Sequence, residues 1–357
     1  MIMKKPNIFI VASGTGGHVF PALAVADILH RYSDILWIGT DAGIEHKHVK
    51  YPISTLQITG FRHKSLLRQV TVIKNLFGAI VQSIKYIRQY HPVGVMCFGG
   101  YVSVPMGIAA RLCNVPLVIH EQNAKIGLSN KILNLISTKT LTAYPEIINS
   151  SKAIQVGNPL RSQFDHGFER PSLPDGGRKL KLLIIGGSLG AKYLNETLPN
   201  VINQLDNIFY VKHQIGNNAR VGDVAAYYHT KQNNCVVEVV NFIEDVVAEY
   251  KKADFVICRA GALTVTEISC TGVPALFVPL PHAVDNHQFY NAKPLVDCGA
   301  AYLVEQGPNF EAEILKILHS LNVDLCYKMH NSNNNRHNNL YCLNNIDKIV
   351  QGCFKIK

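Results

Sequence analysis

The sequence predicts an α/β protein built from two doubly wound domains, each with a parallel sheet. Short apolar segments typical of buried strands alternate with helical stretches of roughly 10–20 residues along the 357-residue chain. These segments fall into two sets, and each set opens with a strand that runs into a glycine-rich turn. Because parallel strands need crossover helices between them, this alternation indicates two parallel sheets.

The predicted strands follow in chain order. The first set comprises Ile8–Val11, Ile35–Ile38, Val93–Phe98, Leu117–His120 and Thr140–Ala143. The second set comprises Leu182–Ile185, Phe209–Gln214, Val236–Val239, Phe255–Cys258 and Ala275–Val278. Ligands of open parallel sheets bind beyond the carboxyl ends of the strands, so we expect the loops there to converge on one cleft between the domains.

Turn residues mark the domain boundary. Gly157–Asn158–Pro159 ends the first set, and the proline- and glycine-rich segment 171–177 precedes the second. We therefore predict an N-terminal domain over 1–160, a linker over 161–178 and a C-terminal domain over 179–340. Residues 341–357 look helical. Residues 331–345 contain eight asparagines, and no function is assigned to this biased segment.

The positive charge is unevenly distributed. The chain has a formal net charge of +10. Residues 1–160 carry 16 lysines and arginines against 6 aspartates and glutamates, and no acidic residue lies between Glu45 and Glu121. Such a surface attracts anions, and the sequence leaves open nucleic acid, an acidic membrane surface or a polyanionic substrate.

Cysteine usage indicates a reducing compartment. The nine cysteines form no C-x-x-C pair and are odd in number, so we expect free, mostly buried thiols without a disulfide framework or a zinc site. The longest uncharged run, 92–110, is broken by glycines and a proline, and it is interpreted as strand, loop and helix start. We therefore expect a cytoplasmic protein whose membrane contact is peripheral.

The first glycine-rich turn carries the main catalytic candidate. The segment 13–17 contains three glycines, which allow close backbone approach to a ligand, and a helix is expected to open at Pro21. A helix N-terminus favours a phosphate or diphosphate. His18 ends the turn, and its imidazole can transfer a proton beside such a group. A capping or packing role for His18 remains the alternative.

A motif in the second half favours nucleotide binding. The segment 259–267 directly follows the strand Phe255–Cys258, and main-chain N–H groups at its helix start can hold a diphosphate. Glu267 can accept hydrogen bonds from ribose hydroxyls. The alternative is that it is simply a carboxylate favoured by the helix dipole. The chain lacks a convincing dinucleotide fingerprint and a P-loop lysine, which argues against a dehydrogenase and an ATPase.

Taken together, the turns at 13–24, 98–103, 120–123, 157–161 and 186–191, with the segments 258–267 and 285–288, resemble the MurG family of glycosyltransferases over roughly residues 8 to 306. The resemblance implies a glycosyltransferase B fold, with two Rossmann-like domains facing an interdomain cleft. It also implies transfer of N-acetylglucosamine from its UDP donor to undecaprenyl-diphosphate-N-acetylmuramoyl-pentapeptide. This reaction converts lipid I to lipid II in peptidoglycan synthesis, with inversion and without a metal or other cofactor.

The resemblance also assigns site residues. The general base is His18 or Glu121. Contacts to UDP-N-acetylglucosamine fall on Thr15, Gly16, Gly17, Asn123, Arg161, Ser188, Ile243, Ala262, Leu263, Thr264, Val265, Thr266, Glu267 and Gln288. The lipid-linked acceptor is expected at Gly14, Gly99, Gly100, Tyr101 and Ser103. Ser13 and Cys258 depart from the residues common in the family, but both are small enough to preserve their turns. The C-terminal helix is expected to fold back on the first domain.

The family also suggests a membrane contact. Apolar residues recur at helical spacing between Leu66 and Ile87, flanked by basic residues, and the family places an apolar patch at Phe77 and Ile80. The expected partners are the lipid-linked acceptor, an anionic membrane at its cytoplasmic face and other proteins of cell-wall synthesis. Alternatives are a UDP-sugar epimerase or another glycosyltransferase of the same fold. A polyanion- or nucleic-acid-binding protein is a third, although no aromatic platform supports it.

Overall fold

The protein is described from a computed structural model. The structure describes residues 5–58, 66–164, 178–187, 190–205, 209–228, 235–333, 339 and 341–356. The side chains of 66–73 and 284 are not described. The chain divides into two compact units. The first comprises residues 1–162 and 338–357, and the second comprises residues 163–337.

The first unit contains a seven-stranded, all-parallel sheet in the order β3-β2-β1-β4-β5-β6-β7. Its strands are β1 (Asn7–Val11), β2 (Asp34–Gly39), β3 (Ile53–Thr55), β4 (Gly94–Cys97), β5 (Leu117–Glu121), β6 (Lys139–Thr142) and β7 (Ala153–Gln155). Its helices are α1 (Gly16–Leu29), α2 (Glu45–His48), α3 (Leu66–Tyr90), α4 (Ser103–Leu112) and α5 (Leu128–Ile136), joined by a C-terminal helix given below. The central strands are continuous apolar runs because helices cover both faces.

The second unit contains a six-stranded, all-parallel sheet in the order β10-β9-β8-β11-β12-β13. Its strands are β8 (Leu180–Ile185), β9 (Phe209–Gln214), β10 (Val236–Val240), β11 (Phe255–Cys258), β12 (Ala275–Phe277) and β13 (Ala301–Leu303). Its helices are α6 (Lys192–Ile202), α7 (Val221–Tyr228), α8 (Val246–Lys252), α9 (Ala262–Thr271), α10 (His287–Asp297), α11 (Phe310–Ser320) and α12 (Val323–Ser332). Short 3₁₀ turns lie at Ser162–Phe164 and Val284–Asn286.

All ten predicted strands are present, and the structure adds β3, β7 and β13. Each of these three has only three residues, which is too short to produce a recognisable periodicity. The predicted start of α1 at Pro21 is wrong. The helix begins at Gly16, because the amide of Val19 already bonds to the carbonyl of Thr15. Because glycine has a low helix propensity, the sequence predicted the start of α1 after the glycines and therefore too late. His18 consequently lies in the first helical turn.

The last helix, α13 (Cys342–Phe354), packs on the first unit. Its residues Cys342, Ile346, Val350 and Phe354 recur every four positions and are buried in the core beside α1. The ring of Phe354 occupies the place of a missing side chain at Gly94 in β4, where a Cβ would lie 2.2 Å from the ring. The C-terminal helix is thus an integral part of the first unit.

Replacing Phe354 by Ala should lower the free energy of unfolding of the first unit by about 3–5 kcal/mol, because it leaves a cavity over Gly94. Denaturant unfolding measures the loss. The control is Phe77→Ala, since Phe77 is 68 % exposed and its loss should change stability by no more than about 0.5 kcal/mol. Equal effects of the two substitutions would contradict this packing.

Among the described residues, none of the helices combines the length and the apolar character needed to cross a bilayer.

Candidate functional site

Three loops of the first unit meet at one edge of its sheet. Strands β1, β4 and β5 are neighbours and parallel, so the loops that follow them lie side by side at their carboxyl ends. These loops are residues 12–15, 98–102 and 122–127. They contain six of the twelve first-unit residues that the sequence assigns to catalysis, donor binding and acceptor binding: Gly14, Thr15, Gly99, Gly100, Tyr101 and Asn123. Open parallel sheets bind ligands at this edge.

His18 is oriented by the first of these loops. Its Nδ1 lies 3.3 Å from the carbonyl oxygen of Ser13. A proton on Nδ1 makes this contact a hydrogen bond and places the ring's lone pair on Nε2, the arrangement that a general base requires. The ring packs against Gly99, where a Cβ would come within 2.8 Å of Nε2 and Cδ2. Glycine at 99 therefore makes room for the imidazole.

The glycines of the first two loops adopt conformations that other residues rarely take. Gly14, Gly99 and Gly100 have φ values of +93°, +107° and +82°. Ser103 fixes the second turn, because its Oγ accepts from the amide of Gly99 at 3.2 Å and donates to the carbonyl of Gly99 at 2.7 Å. Tyr101, in the same turn, is exposed. Four of the five predicted acceptor-side residues thus lie together in the turn after β4, beside His18, and Gly14 lies in the loop after β1.

The N-terminus of α1 lies at the same edge. Its first helical residues are Gly16 and Gly17, and the preceding residue, Thr15, makes no side-chain capping bond. The first turn contains no acidic residue. The helix start thus presents main-chain N–H donors and a partial positive charge, which suit an anionic oxygen.

Glu121, the other candidate base, ends β5 and is 2 % exposed. Its Oε1 accepts from the amide of Asn123 at 3.0 Å and from Asn123 Nδ2 at 3.1 Å. Its Oε2 accepts from the amide of Gly127 at 2.9 Å and from Asn130 Nδ2 at 2.9 Å. Both oxygens of the carboxylate are therefore engaged by N–H donors. Nothing in the sequence singles out Asn130, whose role depends on the tertiary structure.

The neighbouring His120 is fully buried and neutral. Burial lowers its pKa to about 4. Its Nε2 donates to the carbonyl of Gly157 at 2.9 Å, and its ring lies against Phe98. His120 is therefore a structural histidine that ties β5 to the end of the first unit.

In the second unit, the described candidates for binding the UDP donor follow β10, β11 and β12. The turn after β8 contains Gly187 and Gly190, both with positive φ, and a Cβ on Gly190 would lie 2.2 Å from the carbonyl oxygen of Ile215. Ser188 lies outside the described residues. Helix α9 starts directly beyond β11 with Gly261 as its N-cap and no side-chain cap, which leaves main-chain donors at its first turn.

Side chains brace the loops around this helix start. Arg259 donates from Nη1 to the carbonyls of Val278 and Pro279 at 3.1 and 3.2 Å. Asn291 Nδ2 donates to the carbonyl of Ala260 at 3.2 Å. The bonds of Arg259 join the loop after β11 to the loop after β12, and the bond of Asn291 joins the loop after β11 to α10.

Two side chains predicted to contact the UDP-sugar have defined orientations. Gln288 accepts from the amide of Leu280 through Oε1 at 2.9 Å, so its Nε2 is the end that can donate to a ligand. The loop between them contains left-handed residues at His282, Asp285 and Asn286. Glu267 Oε2 accepts from the hydroxyl of Tyr250 at 3.2 Å, which holds this carboxylate within the second unit.

The remaining residues predicted to bind the UDP-sugar lie at several places in the fold. Ile243 is buried beyond the end of β10. Residues 262–267 form the first half of α9, with Leu263, Thr264 and Thr266 partly exposed and Ala262 and Val265 buried. Arg161 is exposed at the end of the first unit. Among the residues that the structure describes, no group of three or more His, Cys, Asp or Glu side chains is placed to hold a metal ion.

Comparisons with known proteins agree over nearly the whole chain. The glycosyltransferase family 28 N-terminal domain matches residues 8–142, and the C-terminal domain of that family matches residues 181–341. The UDP-N-acetylglucosamine--N-acetylmuramyl-(pentapeptide) pyrophosphoryl-undecaprenol N-acetylglucosamine transferase of Histophilus somni is 42% identical, over 91% of this chain and 92% of its own.

Solved structures give the same result. The crystal structure of MurG from Acinetobacter baumannii superposes with a TM-score of 0.84 and 36% identity, covering 97% of this chain and 99% of that one. A UDP-N-acetylglucosamine 2-epimerase has a TM-score of 0.64 and 15% identity over 99% of this chain and 98% of its own, a likeness of fold alone.

These comparisons confirm the predicted glycosyltransferase B fold with its two parallel-sheet domains. They also confirm the predicted resemblance. The chain belongs to glycosyltransferase family 28 and, within it, to the MurG family of N-acetylglucosamine transferases.

Proposed function

We propose that this chain transfers N-acetylglucosamine from UDP-N-acetylglucosamine to undecaprenyl-diphosphate-linked N-acetylmuramoyl-pentapeptide, converting lipid I to lipid II in peptidoglycan synthesis. The observation that carries this proposal is the 42% identity, over nine-tenths of both chains, to a transferase named for that reaction. The site is consistent with it, since each unit presents a glycine turn and a helix start suited to a diphosphate.

The reaction is a single direct displacement. A hydroxyl oxygen of the acceptor sugar bonds to the anomeric carbon of the donor while the bond from that carbon to UDP breaks. The hydroxyl proton passes to Nε2 of His18, whose Nδ1 is held by the carbonyl of Ser13. The four N–H donors on Glu121 favour His18 over Glu121 as the base.

Donor binding falls mainly to the second unit. Main-chain N–H groups at the start of α9 and at the turn after β8 stabilise the charge that develops on the leaving UDP, without a metal ion. Gln288 donates to the sugar from Nε2, Glu267 accepts from the ribose, and the backbone at Ile243 contacts the uracil. Thr15, Gly16, Gly17, Asn123, Arg161 and Ser188 complete the contacts.

Incubation with radiolabelled UDP-N-acetylglucosamine and a lipid-I analogue tests this function. We expect label in a lipid-II product, with equal rates in EDTA and in magnesium, and no change of the donor when the acceptor is omitted. Epimerised donor in the absence of acceptor would instead support the epimerase alternative. A rate abolished by EDTA would contradict the metal-free displacement.

We further propose that the first unit rests on the cytoplasmic face of the membrane as a peripheral protein. On α3, Phe77 is exposed and Ile80 is half-buried, and Lys74, Lys85 and Arg88 are exposed on the same helix. On α5, a second row of exposed aliphatic residues recurs at helical spacing: Leu128, Ile132 and Leu135. Exposed apolar residues flanked by cations suit an anionic lipid surface.

Replacing Phe77 and Ile80 together by Ser should weaken binding to anionic phospholipid vesicles about tenfold or more, because burial of one large apolar side chain contributes about 1.5–3 kcal/mol. Sedimentation with vesicles measures it. Turnover of a lipid-linked acceptor should fall, whereas turnover of a water-soluble acceptor should not. The control is Val236→Ser, which removes an exposed aliphatic residue from the second unit. Unchanged vesicle binding by the double variant would show that α3 is not the contact.

A further inference from the structure

The carboxylate of Glu121 holds both ends of one loop of the candidate site. Asn123, near the beginning of the segment 122–127, donates to Oε1 through its backbone and its side chain. Gly127, at the end of that segment, donates to Oε2 through its backbone. One buried side chain therefore closes the loop between β5 and α5.

Asn130 strengthens this closure from α5. It is 3 % exposed, and its Nδ2 donates to Glu121 Oε2 at 2.9 Å and to the carbonyl of His120 at 3.1 Å. A buried carboxylate is costly unless N–H or cationic groups satisfy it. Glu121 accepts four N–H hydrogen bonds, so both of its buried oxygens have hydrogen-bond partners.

A second set of hydrogen bonds connects the same loop, through Asn158, to the asparagine-rich segment near the C-terminus. Asn158 Nδ2 donates to the carbonyl of Gln122 at 3.1 Å. Asn158 is held in turn by Asn339, whose Oδ1 accepts from the amide of Asn158 at 2.7 Å and whose Nδ2 donates to the carbonyl of Asn158 at 2.8 Å. The asparagine-rich segment is thus connected to the loop after β5 indirectly, through Asn158.

We propose that Glu121 is a positioning residue, which acts on the donor sugar through Asn123 and is not the base; this inference rests on the proposed transfer of N-acetylglucosamine. The bond from Asn123 Nδ2 to Glu121 fixes the orientation of the amide. The side chain of Asn123 can then contact a sugar hydroxyl through Oδ1, which accepts, or through the second N–H of Nδ2, which donates. The Asn158–Asn339 pair supports this placement from outside the loop.

Steady-state kinetics of Glu121→Gln and Asn130→Ala, measured over a pH series, test the proposal. Glutamine offers one oxygen where the loop requires two, so we expect the KM for UDP-N-acetylglucosamine to rise about tenfold or more. The low-pH limb of the kcat profile should stay at its wild-type position, because His18 still takes the proton. Asn130→Ala should raise KM in the same direction, and the double variant should add little to Glu121→Gln, since both act through one loop.

The control is Glu45→Gln, which alters another buried carboxylate of the first unit. Glu45 Oε1 accepts from the amide and the hydroxyl of Thr40, in a loop without assigned contacts. This variant should lower thermal stability without changing KM. Asn339→Ala, remote from the reacting atoms, should raise KM by roughly twofold to fivefold.

Two results would overturn the proposal. The first is a fall of kcat in Glu121→Gln with loss of the low-pH limb and an unchanged KM, which identifies a base. The second is a wild-type KM in Asn130→Ala, which decides the question even where Glu121→Gln does not fold. Absence of transfer by the wild-type protein would instead refute the proposed function. In that case titration of UDP-N-acetylglucosamine into the same variants still tests the loop.

Discussion

Replacing His18 by Ala should lower kcat by about 10²–10⁴-fold while the affinity for UDP stays close to that of the wild type. The range is the usual contribution of a positioned general base. The imidazole is oriented by Ser13 and lies beside Gly99 in the first unit, whereas the contacts proposed for UDP lie mostly in the second. Turnover of a lipid-I analogue and calorimetric titration of UDP measure the two quantities separately.

The matched control for His18 is His319→Ala, which removes an exposed imidazole from the last turn of α11. It should change neither kcat nor UDP affinity. If His18→Ala weakens UDP binding and leaves kcat unchanged at saturation, His18 is a ligand contact and another group takes the proton.

Replacing Gly99 by Ala should lower kcat about 10²-fold or more without any change in the catalytic side chain. The added methyl group would lie 2.8 Å from Cδ2 and Nε2 of His18, so the ring must move. A displacement of about 1 Å at a reacting group can cost this much. The φ of +107° at Gly99 adds strain for any residue with a Cβ. The same steady-state assay measures the effect.

Two further substitutions separate the effect of the steric contact with His18 from the effect of backbone strain. Gly14→Ala has similar backbone strain, with φ of +93°, but its Cβ meets no atom within 4 Å, so its loss of kcat should be smaller. Gly222→Ala, in helix α7, combines open space with an ordinary φ and should leave kcat unchanged. Equal kcat for Gly99→Ala and the wild type would show that the contact with Gly99 does not position His18.

The fold could be predicted from sequence because its strands are continuous apolar runs. Ile8–Val11 and Phe255–Cys258 are buried on both faces, as central parallel strands must be, and their character is visible without any partner. The short strand Ile53–Thr55 contains only one strongly apolar residue, and its pairing with β2 depends on the tertiary structure. Local propensity also misplaced the start of α1, where the two glycines are already helical.

The candidate site could be predicted only in part, and the reason is physical. Gly99, the start of α9 and the turn that leads to His18 follow strands directly, so sheet topology alone gathers each of them at a carboxyl edge. The surroundings of Glu121 could not be predicted, because its partners Gly127 and Asn130 reach it through a loop and a helix turn. Residue type suggested a base for Glu121, whereas its hydrogen bonds support a positioning role.

The configuration of the new glycosidic bond tests the central claim most directly. The product is formed from UDP-N-acetylglucosamine and a lipid-I analogue with EDTA present, and is then isolated. The NMR coupling constant of its anomeric proton gives the configuration. A single displacement assisted by His18 predicts a lipid-II product whose anomeric configuration is opposite to that of the donor. A product with the donor's configuration would contradict the account, because retention in two displacements requires a nucleophile on the enzyme.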